Sequence, residues 1–215
     1  MKIKSKIAGF LIMGILAGGT VGINASAKDF NNLSDSGMKK QEAIYLQSLE
    51  KVKSDISKEE ALDIVANSYD KYFGIKVDIK NFNDIEFLKT NSFWTSVYLD
   101  NANNKVYFVT LEKDGKVKEI GYEGDNKSLG EIEQAIEKAN SNKEEAIKIG
   151  KAFILEKGFV KNAEDISFLR VGNNAEYDFA YGKDEKTGDD KVVYMTIDAS
   201  NKKVTSINFD FEKSK

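Results

Sequence analysis

Ser57-Lys58-Glu59-Glu60-Ala61 returns later in the chain as Ser141-Asn142-Lys143-Glu144-Glu145-Ala146, and the segments after each copy are alike too. Each run opens a helical pattern, and three or four short segments rich in β-branched and aromatic residues come after it. Such an internal repeat constrains the fold strongly, because each copy has the same faces to bury. The expectation is an α+β chain of two tandem units, 57–122 and 141–211. Each is one helix packed on an antiparallel β-meander of three to four strands.

In the first unit Ser57 and Glu60 have capping-box spacing: the hydroxyl accepts from the Glu60 amide while the glutamate reaches back to the cap amide. Leu62, Val65, Tyr69 and Tyr72 follow at helical spacing, and Gly74 is placed to stop the helix. Residues 85–88, 93–99, 106–111 and 117–122 read as strands. Asp114-Gly115 predicts a type I′ hairpin turn. Gly121 to Lys127 reads as a polar connector, and Ser128 with Glu131 as a second capping box. The connector helix in 123–140 would carry Ile132, Ala135, Ile136 and Ala139 on one stripe.

Ser141 and Glu144 repeat the box at the head of the second unit. Ala146, Ile149 and Phe153 share a face there, with Ile147 and Ile154 beside it and Gly158 as the stop. Asp165 to Leu169 matches Asp84 to Leu88, and Val192 to Ile197 parallels Val106 to Leu111. Tyr177 to Tyr181 alternates and takes the place of the Trp94 strand. The alternation of Thr205, Ile207, Phe209 and Phe211 against Val204, Ser206, Asn208 and Asp210 predicts a half-buried edge or outer strand with one wet face.

Residues 1–27 have the form of a signal peptide. Lys2, Lys4 and Lys6 precede an apolar core, and Ala25 and Ala27 supply the small residues that a signal peptidase recognises. The apolar run to Ile23 is short for a membrane span and rich in glycine. Cleavage after Ala27 would leave 188 residues and take the formal net charge from −3 to −6. Residues 28–56 then form a polar linker and a helix carrying Tyr45, Leu49, Val52 and Ile56. The expected location is extracytoplasmic, secreted or associated with the cell surface, with no stable membrane span after cleavage. The lysine-rich, arginine-poor composition fits a bacterial exporter.

Absences narrow the chemistry. With no Cys and no His, disulfides, thiol nucleophiles, Ser-His-Asp catalysis and the usual zinc sites are excluded. With Arg170 the only arginine, guanidinium readout of phosphate or bases has almost no material, so nucleic acid is not an expected partner. Stability must come from packing, for which thirteen Phe and nine Tyr are available.

The repeated elements carry a resemblance. Lys58-Glu59-Glu60-Ala61, Val106 to Glu112 and Lys116 to Ile120 resemble the PepSY-type domain. So do Lys143 to Ala146, Val193 to Asp198 and Lys203 to Ile207. The Asp-x-x-Thr-Gly-x-Val turn of that family is only approximated, by Glu112-Lys113-Asp114-Gly115 and Asp198-Ala199-Ser200-Asn201. The resemblance implies a non-catalytic extracytoplasmic module that restrains or contacts a separate peptidase or cell-wall hydrolase. It brings no cofactor.

The remaining candidates for chemistry read blandly. Glu59-Glu60 and Glu144-Glu145 sit at helix starts, where acids favour the macrodipole; adjacent helical residues do not face each other as a glycosidase pair must. Asp184 to Asp190 departs from calcium-loop spacing at Lys186 and reads as a solvated hairpin loop, as Asp100 to Asn104 reads as a turn. Phe93, Trp94, Tyr98 and Tyr107 at strand spacing read as core or cross-strand pairs. No catalytic or metal residue is assigned, and no binding residue is singled out. A secreted binding module ranks first, a structural envelope or matrix protein second, and a carboxylate-dependent hydrolase third.

Overall fold

The computed structural model describes residues 52–123 and 129–210. The chain divides into two units, one of which is represented among these residues by Val52 and 89–91 alone; the other holds the elements of the fold. Ala25 and Ala27, residues 38–51 of the expected N-terminal helix, Ser128 and the Glu131 side chain lie outside the described residues.

Helix α1 spans Lys58–Phe73, α2 Leu129–Ser141 and α3 Lys143–Glu156. The strands are β1 (Glu86–Leu88), β2 (Phe93–Asp100), β3 (Lys105–Glu112) and β4 (Val117–Glu123), then β5 (Ile166–Val171), β6 (Tyr177–Lys183), β7 (Asp190–Asp198) and β8 (Lys203–Asp210). A 3-10 turn precedes β1 at Ile79–Phe82 and β5 at Ala163–Asp165. The fold is α+β. All eight strands join in one antiparallel sheet, in the order β1-β2-β3-β4-β8-β7-β6-β5.

The seam of this sheet is β4 against β8, where Ile120 lies opposite Ile207. That placement corrects the expectation for β8: it is a central strand, and β1 and β5 are the edges. Two bulges flank the seam. Opposite β3 the register skips Lys118, and opposite β7 it skips Thr205. The extra residue returns Val204 to the buried side, which is why simple alternation misassigned it.

One face of the sheet is largely apolar. A row runs across seven strands from Ser96 through Val109, Ile120, Ile207, Met195 and Tyr177 to Val171. All three helices pack on this face. From α1, Ala61, Val65 and Tyr69 are fully buried, and the Tyr69 hydroxyl donates to the Phe108 and Gly121 carbonyls at 2.9 and 2.8 Å. Helix α3 passes so close over β6 that a Cβ on Gly150 would stand 2.4 Å from the Phe179 ring. Helix α2 is tied down by the Tyr177 hydroxyl, which donates to the Ala139 carbonyl at 2.9 Å. Burying a large side chain of this kind contributes about 1.5–3 kcal/mol.

The start of α1 is the expected capping box, with Ser57 Oγ accepting from the Glu60 amide and Glu60 Oε2 from the Ser57 amide. Gly74 and Gly158 end α1 and α3 with φ of 66° and 71°. After α3, Phe159 and Gly158 amides return to the Ile154 and Leu155 carbonyls, a Schellman closure.

Other expectations need correction. Ser141 is the last residue of α2, and its hydroxyl donates back to the Glu137 carbonyl at 2.9 Å. It therefore caps nothing; Asn142 caps α3 without a side-chain bond. Val52 and Ile56 are not helical, because the segment runs alongside the β3–β4 hairpin, where the Asp55 amide donates to the Lys113 carbonyl. The turn at Asp114-Gly115 is not type I′: only Gly115 has positive φ, 87°, and its amide closes on Glu112. This is a type I turn followed by a glycine bulge. Gly121 belongs to β4 rather than to a connector. Residues 177–181 alternate in sequence yet are buried on both faces of β6, Asp178 and Ala180 as well as Tyr177, Phe179 and Tyr181.

Candidate functional site

One acid of each doublet makes a local contact. Glu60 completes the cap of α1, and its hydrogen bonds to Ser57 hold its carboxyl below the usual range. Glu145 lies 3.8 Å from Lys148 and 3.9 Å from Lys202 at the surface. Neither doublet faces a second carboxylate across a cleft. In the loop from Asp184, that carboxylate accepts from the Lys186 and Thr187 amides and is held below its ordinary value by them. Among the described residues no group of three His, Cys, Asp or Glu is placed to hold a metal ion, and no helix is long and apolar enough to cross a membrane.

The aromatic group divides between the two sides of the sheet. Trp94 is buried against Phe87, its indole N–H donating to Ser54 Oγ at 2.7 Å. Tyr98 stacks on Tyr107 at 5.8 Å. Phe93 points the other way, with the Lys118 ammonium 4.4 Å from its ring centroid. These are cross-strand and core contacts.

Two surfaces stand out instead. One is the face of the sheet opposite the helices, on which no described helix lies. Alternation places Val97 opposite Phe108 there and Leu99 opposite Val106. Leu99 is 38% exposed and the other three are half-buried. Phe108 folds over Gly121, where an added Cβ would meet its ring at 2.6 Å and Ser206 Cβ at 2.4 Å. At the far side of the same face, Arg170 Nε donates to Asp178 Oδ2 at 2.7 Å. Asp178 is 2% exposed, and among the described residues its Oδ1 has no hydrogen-bond partner. Burial raises this carboxyl above its ordinary range, against the lowering pull of Arg170.

The other surface is a groove of about 750 Å³ between the β2–β3 and β7–β8 hairpin tips, with the end of α2 as a wall. Its two hairpins have the same build. Asp100 Oδ1 accepts from the Ala102 and Asn103 amides and Oδ2 from Asn103 Nδ2. Asp198 does the same with Ser200 and Asn201. Asn104 and Lys202 follow with φ of 51° and 52°. These bonds hold both aspartates below their ordinary values, the asparagine side chain being the largest cause. Lys105, Lys138 and Lys203 line the groove with Asn103, Asn142 and Asn201. No single segment holds all of them, so residue-by-residue inspection misses the group. The signal that could have found it is the pattern Asp-x-x-Asn-x-Lys, present at 100–105 and again at 198–203.

No protein-family model matches the chain, and no curated protein matches it. A solved structure of a protein with unknown function from Clostridium leptum is similar at 9% identity and a TM-score of 0.42, covering 75% of this chain and 90% of that one.

Proposed function

We propose that the chain is a secreted binding module of two PepSY-like halves, each a helix on a four-stranded meander, joined edge to edge. The halves share a 3-10 turn before the first strand, a left-handed glycine after the main helix, and a bulge two residues before the seam isoleucine. These coincidences support common descent of the two segments. In this reading the module works outside the cytoplasm and restrains a separate peptidase or cell-wall hydrolase without doing chemistry itself.

The observation that carries the reading is the open face of the sheet around Val97, Leu99, Val106 and Phe108. An apolar cluster on a flat strand surface suits a protein partner better than a small molecule, which needs a concavity.

The test is direct. Purified chain is titrated into co-secreted peptidases and wall hydrolases, and their activity is followed beside that of a Val97→Asp/Leu99→Asp variant. The expected result is inhibition at micromolar concentration, lost in the variant while its circular dichroism is unchanged. Absence of inhibition and binding across that set overturns the reading, as does equal inhibition by the variant.

A further inference from the structure

The groove between the twin hairpins lies apart from the open face of the sheet, and its lining has a distinct character. Three lysines, Lys105, Lys138 and Lys203, line it from three separate segments. Among the described residues none of them has a carboxylate within ion-pair distance. The one carboxylate in the lining, Asp198, accepts from the amides of its own turn and also feels the charge of Lys138, as Asp100 beside the groove feels Lys105. Three lysines against one aspartate leave the lining net positive on a chain whose net charge is negative. Beside the lysines stand the side-chain amides of Asn103, Asn142 and Asn201, groups that both donate and accept. The size falls within the range of small-molecule sites.

We propose that this groove binds a small oxyanion carried on a hydroxylated carbon skeleton, such as a polyol phosphate or a uronic acid. The lysines neutralise the anion as flexible point charges, and the asparagines receive the hydroxyls. The Lys105 ammonium lies 5.2 Å from the centroid of the Tyr122 ring, which also lines the groove. The ligand is held by charge and hydrogen bonds, and no bond is made or broken.

The test is an NMR titration of the ¹⁵N-labelled full chain with glycerol 3-phosphate, glucuronate, inorganic phosphate and glucose as separate probes. The expected result is saturable shifts of the 101–104, 142 and 199–202 amides below about 10 mM with one of the first two. Those two arms tell phosphate from carboxylate. Lys105→Gln/Lys203→Gln should weaken that binding by about tenfold or more, while the rest of the spectrum stays in place. Lys138→Gln, on a helix rather than a hairpin, provides a second variant should the first perturb the turns. Inorganic phosphate binding as well as glycerol 3-phosphate overturns the proposal, as does glucose matching the acids, saturation by none of the four, or full affinity in both variants. None of these outcomes bears on the open-face reading, whose residues point to the opposite face of the sheet.

Discussion

Ile120 and Ile207 stand directly opposite each other on β4 and β8, both fully buried, at the one place where the two meanders touch strand to strand. Among the described residues three pairs, 119–121 with 206–208, make this seam. Ile120→Ala and Ile207→Ala should each cost about 2–5 kcal/mol. Because the two side chains are in contact range, the double variant should depart from additivity by about 0.5 kcal/mol or more. Urea denaturation followed by tryptophan fluorescence and by circular dichroism checks both points. One coincident transition is expected, and two separate ones would mean that the seam does not couple the halves.

Tyr69 reaches from α1 to two carbonyls, those of Phe108 and Gly121, on neighbouring strands. Burial raises its phenol far above the ordinary value, so the hydroxyl stays a neutral donor at any working pH. Tyr69→Phe keeps the ring and removes the one hydroxyl that both carbonyls share. The expected loss is about 1–3 kcal/mol, read as a lower urea midpoint with an unchanged slope.

Gly121 leaves room for the Phe108 ring and for Ser206, whose Cα would lie 2.9 Å from an added Cβ. Gly121→Ala should destabilise by about 1–3 kcal/mol through overpacking. Combining it with Phe108→Ala removes one of the two clashes and should recover part of that loss, whereas plain additivity of the two costs would discount the crowding.

Ser57 and Asn142 occupy corresponding positions before α1 and α3, yet only Ser57 makes a side-chain cap. Ser57→Ala should cost about 1 kcal/mol and Asn142→Ala no more than about 0.5 kcal/mol. The Glu60 carboxyl is held below its ordinary value by the same box. Its contribution is therefore present above the unfolded value near pH 4 and disappears as pH falls through the folded one. The difference between wild type and Glu60→Gln, which cannot titrate, should shrink on acidification, as thermal melts across that range would reveal.

Arg170 and Asp178 give the opposite sign. The Asp178 carboxyl is raised by burial, so the fold favours its neutral form. That contribution is complete below the ordinary aspartate value of about 4 and declines as pH rises through the folded one. Asp178→Asn should flatten this part of the stability profile. Arg170→Ala leaves the buried charge unpaired and should cost about 1–3 kcal/mol at neutral pH, with recovery in acid. Urea midpoints for the three proteins at several pH values would decide, and an Arg170→Ala profile parallel to wild type would count against the pairing.

Local signals were legible wherever the chain's own chemistry is enough. The Ser57-x-x-Glu60 box, the stops at Gly74 and Gly158 and the eight extended segments all depend on neighbours within a few residues. The α+β class follows from their order. Signals that depend on context misled: Ser141 has the cap spacing but is still helical, because α2 runs to within one residue of α3. Gly121 resembles a linker residue but packs beneath Phe108.

What tertiary structure alone decided is which strands are edges and which residues meet. Alternation says that β8 has one apolar face, and it says nothing about which strand lies beside it. The choice of β4 comes from the match of two buried isoleucines and the bulges that aim them. The groove lysines are likewise separated by long stretches of chain, and folding of the two twin hairpins against α2 brings them together. A linear sequence specifies side-chain period through local backbone geometry. Long-range adjacency is set only when the apolar faces are buried against one another.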